Sequence, residues 1–234
     1  MIDSNTKHKL LSDAPVIAPS MLKCDFGNLH REVELLDAAQ APVLHWDVMD
    51  GHFVPNLSYG AMLIERVRPL TKSFFDAHLM ISNPEKYVDD YIKAGCDSIT
   101  VHIEALPEPQ GLLDRLQEAG VLPGLAISPQ TPLERIEPYL DACGLVLVMS
   151  VEPGFGGQSF IETSPERIRQ LKSMISPETI LSVDGGIDPD TIGAAAQAGA
   201  NYFVVGSAIF NEPDYATAVS DLAQIARSRT ASLT

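Results

Sequence analysis

Three observations predict an α/β fold of the (β/α)8 barrel type, the TIM barrel. Eight short β-rich apolar runs recur along the 234-residue chain. Segments with helical periodicity lie between them, and strands that alternate with helices build a parallel sheet. The length suits one closed barrel, whose usual size is roughly 250 residues. An open doubly wound sheet would more often carry a GxGxxG turn after its first strand, and none stands there.

The elements follow in order. The first run is VIAPS (16–20), and REVELLDAAQ after it places Val33, Leu36 and Ala39 on one helical face. VLHWDVM (43–49), FFDAHLM (74–80), SITVHI (98–103) and LPGLAIS (122–128) are the second to fifth runs. LVLVMSV (145–151) is the sixth, and PERIRQLKSMI beyond it groups Ile168, Leu171 and Ile175. TILSVDG (179–185) and YFVVG (202–206) complete the set. Asn83-Pro84, Ser164-Pro165 and Asp188-Pro189 each read as an N-cap followed by proline at the first helical position. Gly95, Gly120 and Gly199 stand where helices should end. Residues 16–228 are therefore expected to form one barrel domain, with a polar lead-in at 1–15 and a polar tail at 229–234.

Composition narrows the function. Hydrophobic residues make up 45% and charged residues 20%, as in ordinary globular proteins. The net charge of −15 argues against nucleic-acid and anionic-membrane partners, which want a basic patch. No apolar run approaches a membrane span, and the first residues lack the apolar core of a secretory signal. The three cysteines, Cys24, Cys96 and Cys143, form no CxxC pair and read as reduced thiols in a cytoplasmic protein. An anionic substrate would have to be attracted locally, against the net charge.

The strand ends carry polar groups that a plain core has no use for. Residues i and i+2 share a face of a strand. His45, Asp47 and Met49 therefore point one way, as do Asp76, His78 and Met80, and Ser182 with Asp184. In a barrel the strand C-termini form the active-site mouth. His45, Asp47, His78 and Asp184 can converge there as a four-ligand set for a divalent metal, and mixed N/O ligation suits Zn, Mn, Fe or Co. A lone histidine on an apolar face is usually just a hydrogen-bonded core residue. Four ionisable groups at three strand ends would destabilise one another unless something joined them.

Glycines follow the last three strands. SVEPGFGGQSF holds Gly154, Gly156 and Gly157, VDGGIDPDTI holds Gly185 and Gly186, and VVGSAIF holds Gly206 with Ser207. Glycine lets backbone N–H groups approach an anion, and a phosphate site after strands seven and eight recurs in barrels. Any one of these loops could be no more than a turn; three in succession suggest a phosphate cradle. A metal beside a phosphate, with two aspartates, suits chemistry at a carbonyl of a sugar phosphate. The metal can polarise the carbonyl and stabilise an enediolate. One aspartate can remove the adjacent proton and the other can return one to the opposite face, which is epimerisation.

The stretches LHWDVMDGHFVPN, DAHLMISNPEKY, TVHIEA, LVMSVEPGFGGQSF, SVDGGI and VVGSAIF closely resemble the ribulose-phosphate 3-epimerase family, from IAPSML at 17–22 to about residue 211. The resemblance implies a barrel that interconverts D-ribulose 5-phosphate and D-xylulose 5-phosphate with one divalent metal ion per subunit. It puts the metal on His45, Asp47, His78 and Asp184 and the acid/base pair on Asp47 and Asp184. Its substrate contacts fall on Ser20, His78, Gly154, Phe155, Gly156, Gly157, Asp184, Gly185, Gly186, Gly206 and Ser207. Met49, Met80 and Met149 would line an apolar wall beside the reacting carbons. Barrels of this type often associate, so a homo-oligomer is the expected assembly.

The sequence departs from the family pattern in three places: Trp46 and Ala77, both expected to point outward, and Ser128, where the family usually has Asn. His52 is expected to brace its loop, Asp50 to cap it, and His102 with Glu104 to support the ligands from behind. Cys24 reads as a buried thiol. Three rival readings remain: an epimerase of a six-carbon ketose 6-phosphate, a sugar-phosphate decarboxylase on the same barrel, and a non-catalytic binding protein. Against the last two stand the second carboxylate, Asp184, and the complete ligand set.

Overall fold

The computed structural model describes residues 10–230. Its strands are β1 (Val16–Pro19), β2 (Val43–Met49), β3 (Phe74–Met80), β4 (Ser98–His102), β5 (Leu122–Ile127), β6 (Leu145–Met149), β7 (Ile180–Asp184) and β8 (Tyr202–Val205). Its helices are α1 (Leu29–Ala38), α2 (Ala61–Val67), α3 (Pro84–Lys93), α4 (Gln110–Glu118), α5 (Ser164–Met174), α6 (Ile192–Gln197), α7 (Ser207–Phe210) and α8 (Tyr215–Thr230). The strands are all parallel, in the order β1-β8-β7-β6-β5-β4-β3-β2. A parallel bridge between Ser20 and His45 joins the two ends of the sheet. The ring is thus an eight-stranded barrel of the expected type. No helix among the described residues is long and apolar enough to cross a membrane.

Strand alternation divides the core. Outward positions such as Ile17, Leu44, Trp46, Phe75, Ala77, Ile99, Val146 and Phe203 pack against the helices. Inward positions at the base, Val16, Val43, Phe74, Leu122, Leu145, Ile180 and Tyr202, form a plug with Leu10 beneath them. The interior is crowded: a Cβ at Gly124 would lie 2.1 Å from Thr100 Oγ1, so only glycine fits that layer. The polar groups sit above this plug, toward the strand ends.

The helices largely form where periodicity placed them, with corrections at their edges. Val33 and Leu36 are buried on α1, while Ala39 lies just past its end and is half-buried. Ile168, Leu171 and Ile175 are all buried. Helix α3 does begin at Pro84 after Asn83. Ser164, expected as a cap, is instead the first helical residue, with Thr163 in the cap position. Asp188 does not cap α6 either. Its Oδ1 accepts from the N–H groups of Asp190 and Thr191, making a separate turn before the helix starts at Ile192. After β5 the expected α-helix is replaced by 3-10 turns at Leu133–Arg135 and Glu137–Ala142, where Pro138 cannot donate to an α-helical ladder.

Gly95, Gly120 and Gly199 close α3, α4 and α6 with positive φ. Each sits in the paired 5→2 and 6→1 backbone bonds of a Schellman motif, such as Gly95 N–H to Ile92 O and Cys96 N–H to Tyr91 O. The expected lead-in falls mostly outside the described residues. Of the expected tail, Arg229 and Thr230 are the last residues of α8, and the rest lies outside.

Candidate active site

Register fixes which side chains meet at the mouth. β2 and β3 pair His45 with Asp76 and Asp47 with His78, and β7 ends at Asp184. One donor atom from each of His45, Asp47, His78 and Asp184 lies within 4.8 Å of the others. This buried group can hold a metal ion, since ligands about 2 Å from a common ion are only a few ångströms apart.

The hydrogen-bond network assigns the tautomers. His45 Nδ1 is 2.9 Å from Asp76 Oδ2, which also accepts the Tyr202 hydroxyl at 2.9 Å. Nδ1 therefore carries the proton, and Nε2 is left bare. That buried Nε2 makes no hydrogen bond and lies 3.3 Å from Asp47 Oδ1. On the other side, His102 Nδ1 is 3.1 Å from Glu104 Oε2, and its Nε2 is 2.8 Å from His78 Nε2. With His102 donating to Glu104, His78 donates through Nε2 and turns a bare Nδ1 to the carboxylates, 3.2 Å from Asp47 Oδ1 and 3.6 Å from Asp184 Oδ2. Lone pairs face lone pairs at both imidazoles. Burial makes that costly unless a proton or a cation sits between them.

Charge tells the same story. From the protein's own groups alone, burial opposes an imidazolium at His45, yet Asp47 and Asp76 raise its pKa well above the usual value. Burial lowers that of His78 despite Asp47. Burial also opposes ionisation of Asp47, but His45 and His78 outweigh it and hold the carboxyl below the usual range. Asp184, pressed by burial and then by the Asp47 charge, is pushed up to about 7. A bound divalent cation would change this balance, drawing both carboxylates toward the ionised form.

Above these groups opens a cavity of about 280 Å³. Asp47 and Asp184 reach it, while His45 and His78 lie buried beneath. Ser20 lines it and donates its hydroxyl to Asp47 Oδ2. The cavity brings together all three glycine loops: Gly154, Phe155, Gly156 and Gly157, then Gly185 and Gly186, then Gly206 and Ser207. Gly185 and Gly186 have φ of +117° and +64°, and a Cβ on Gly186 would lie 2.5 Å from Phe160 N. Met49, Met80 and Met149 form an apolar wall, and Phe155 stands 53% exposed at the rim.

Other expected residues fall outside the cavity. His52 is exposed and bonds back to Asp50 through its N–H and ring. Asp50 also accepts from Phe53 N–H and from Ser82, and these bonds outweigh burial to keep its carboxyl ionised below the usual range. Ser128 does not line the cavity; its N–H donates to Glu104. Cys24 is buried, which, aided by Glu32 and Asp25, pushes its thiol up to about 12.

Three residues carry no site role in the sequence reading. Asp76 was visible as sharing a face with His78, and only the pairing register assigns it to His45. Tyr202 reaches Asp76 across the barrel, and no linear pattern carries that contact. Lys23 follows β1 in a 3-10 turn and enters the cavity wall without any periodicity to mark it.

The Ribulose-phosphate 3 epimerase family profile matches residues 16–210. Ribulose-phosphate 3-epimerase of Synechocystis sp. is 46% identical over 210 residues, covering 88% of this chain and 91% of the relative. That of Bacillus subtilis is 40% identical, covering 88% and 97%. A rice protein named as the cytoplasmic isoform is 45% identical, covering 89% and 93%. Among solved structures, orotidine 5'-phosphate decarboxylase from Pyrococcus horikoshii superposes with a TM-score of 0.65 at 17% identity, over 91% of this chain and 99% of that one, a likeness of fold alone. By the span of the profile and the identity to these relatives, the chain belongs to the ribulose-phosphate 3-epimerase family.

Proposed function

We propose that this protein is an isomerase that interconverts D-ribulose 5-phosphate and D-xylulose 5-phosphate at C3, as the names of its relatives suggest. The observation that carries the reading is a pair of carboxylates, Asp47 on β2 and Asp184 on β7, that reach one cavity from different strands beside the histidines. Epimerisation needs one group to accept a proton and another to donate one. β1 and β8 separate β2 from β7, so Asp47 and Asp184 approach a bound ketose from different sides.

In this reading one aspartate takes the C3 proton, and the electron pair moves to the C2 oxygen, giving a planar enediolate. The other aspartate delivers a proton to the opposite face of C3, and the electron pair returns to restore the C2 carbonyl. The roles exchange with direction. A divalent ion held by His45, Asp47, His78 and Asp184, drawn from Zn, Mn, Fe or Co at one per subunit, would polarise the carbonyl and stabilise the enediolate oxygens. Ser20 holds Asp47 in place. The loops at Gly154–Gly157, Gly185–Gly186 and Gly206–Ser207 receive the phosphate, and the methionine wall keeps water from the intermediate. We also propose a cytoplasmic location, in keeping with three free, buried cysteines, and a homo-oligomeric assembly, as barrels of this type often form.

The test is a coupled assay on ribulose 5-phosphate and on six-carbon ketose 6-phosphates, before and after chelation. Turnover should favour the pentose, fall on metal removal and return with Mn, Fe, Co or Zn. In D₂O, deuterium should appear at C3 of the product. Product that kept its original C3 hydrogen would exclude the two-aspartate route. Full activity in protein shown to be metal-free would remove the ion from it.

A further inference from the structure

The proposed phosphate cradle is built from backbone, yet one side chain spans it. Lys23 follows β1 and lines the cavity together with Gly156, Gly157, Gly206 and Ser207. Its stem lies against two of the three glycine loops. A Cβ on Gly156 would come within 2.6 Å of Lys23 Cε and 3.5 Å of its Nζ, and one on Gly206 within 3.0 Å of its Cγ. The Nζ would also stand 3.7 Å from a Cβ on Gly157. The stem thus passes from the loop after β8 to the loop after β6, and the ammonium lies beside Gly156 and Gly157. Gly156 and Gly206 leave the room that its stem occupies.

The charge around it makes this cation distinctive. Of the side chains lining the cavity, Lys23 is the one Lys or Arg, against three aspartates, Asp47, Asp184 and Asp188. Among the described residues no carboxylate forms an ion pair with it, whereas Arg68, Arg115 and Arg169 all have acidic partners. The chain as a whole carries a net charge of −15. An anion entering this mouth meets a chain of net negative charge and an acidic floor, with one cation beside the glycine loops. An unpaired lysine on a four-carbon stem is a compact point charge that can follow a phosphate as it docks.

We propose that Lys23 is the electrostatic anchor of the phosphate subsite and sets the affinity for the phosphorylated substrate. This rests on the reading of the cavity as a sugar-phosphate site and adds a residue to it. Lys23 acts on binding, since its ammonium lies beside Gly156 and Gly157 of the loop after β6. Removing the charge should cost the complex and the transition state alike, which raises KM more than it lowers kcat.

The experiment uses metal-loaded, full-length protein and compares wild type with Lys23→Met and Lys23→Arg. Methionine keeps an apolar stem over Gly156 and Gly206 and deletes the charge. Lys23→Met should raise KM for ribulose 5-phosphate by about ten- to thirtyfold, with a smaller change in kcat. Its kcat/KM should depend less steeply on ionic strength, and competitive inhibition by inorganic phosphate should weaken in parallel. Lys23→Arg should recover most of the loss. Unchanged KM, phosphate inhibition and salt dependence in Lys23→Met would overturn the proposal. So would equal impairment in the Met and Arg variants, which would make the residue a packing element. If the wild type turned over no ribulose 5-phosphate, the epimerase reading would fall by itself. Calorimetric binding of inorganic phosphate to wild type and Lys23→Met would then still decide whether Lys23 anchors an anion.

Discussion

The two walls of the mouth are made in different ways. On the β2–β3 side the wall is side chains, each held from behind. Asp76 and Tyr202 stand behind His45, His102 and Glu104 behind His78, and Ser20 beside Asp47. Across the mouth, after β6, β7 and β8, the wall is backbone, with glycines at positive φ and Lys23 as its one basic side chain. The first wall is rigid and charged, and its geometry is set by buried hydrogen bonds. The second offers amide donors whose placement depends on the absence of Cβ atoms. A reaction that moves protons needs the first kind, whereas holding an anion of fixed shape needs the second. Damage to the side-chain wall should therefore appear in kcat and metal retention, and damage to the backbone wall in KM.

The largest expected effect is at Asp184, which belongs to β7 but faces the side-chain wall. Asp184→Asn should lower kcat by at least ~10²-fold, the usual contribution of a positioned acid or base. The fold should survive, because Asn is nearly isosteric and the residue is not part of the apolar plug. A folded, metal-loaded variant with wild-type turnover would break the division between the walls. Next comes the support behind the ligands. Asp76→Asn should weaken metal binding by roughly 10–100-fold, as such partners typically do. Its carboxylate both fixes the His45 tautomer and accepts from Tyr202. His102→Asn should fall at the low end of that range, since a neutral imidazole fixes a tautomer without adding charge. Competition against a chelator measures both, and equal affinities would mean that the charge of Asp76 is irrelevant to the ion.

Much of the side-chain wall was legible in the sequence, and the reason is periodic. A strand displays every second residue, so HWD and DAH announce their inward groups without any tertiary information. The glycine loops were legible because few residues other than glycine tolerate those turns. What lay behind the ligands was only half visible. His102 and Glu104 could be seen to end β4, but their link to His78 depends on register between strands. Tyr202 meets Asp76 across the barrel from a strand far away in sequence, and no spacing encodes that contact. Lys23 escaped because it sits in a short turn, where neither alternation nor helical repeat singles out a residue. The misplaced caps differ in kind: at Ser164 the helix begins one residue early, after Thr163, whereas at Asp188 a separate turn takes the place of the helix start. A polar residue before proline starts a turn as readily as a helix, and the competing backbone bonds decide between them.

The backbone wall can be probed at Gly186. Its φ of +64° and the 2.5 Å approach of a Cβ to Phe160 N leave no space for alanine. Gly186→Ala must shift the loop between Gln158 and Phe160, which shares the cavity rim. KM for ribulose 5-phosphate should rise about tenfold, with kcat affected less, and stability should fall by ~1–3 kcal/mol. Steady-state kinetics and thermal melting read the two effects separately. A variant that lost kcat but kept KM would show that the glycine loops serve the chemistry directly.

The smallest expected effect lies at the outer end of the side-chain wall, in Glu104. Burial opposes its ionisation, but His102, Thr131 and the Ser128 N–H outweigh it, and its pKa falls from 4.5 to about 2. The groups facing it are His102 on β4 and Arg167 on α5, whose guanidinium bonds to Ser128 O and Thr131 O. A carboxyl with a depressed folded-state pKa stabilises the fold fully above its unfolded value. That stabilisation is lost as pH falls from about 4.5 toward 2, where the unfolded chain takes up the proton first. The full shift would correspond to a few kcal/mol. Solvent reaches 22% of the Glu104 side chain, and glutamine would keep one acceptor, so Glu104→Gln should cost nearer ~1 kcal/mol at pH 7. Denaturant unfolding of both proteins at pH 7 and pH 4 measures the gap, which should already be narrower at the lower pH. A gap that stayed constant would mean that the carboxylate acts through shape alone. The His78–His102–Glu104 chain would then differ from the His45–Asp76 pair not in strength but in kind, with charge behind one imidazole only.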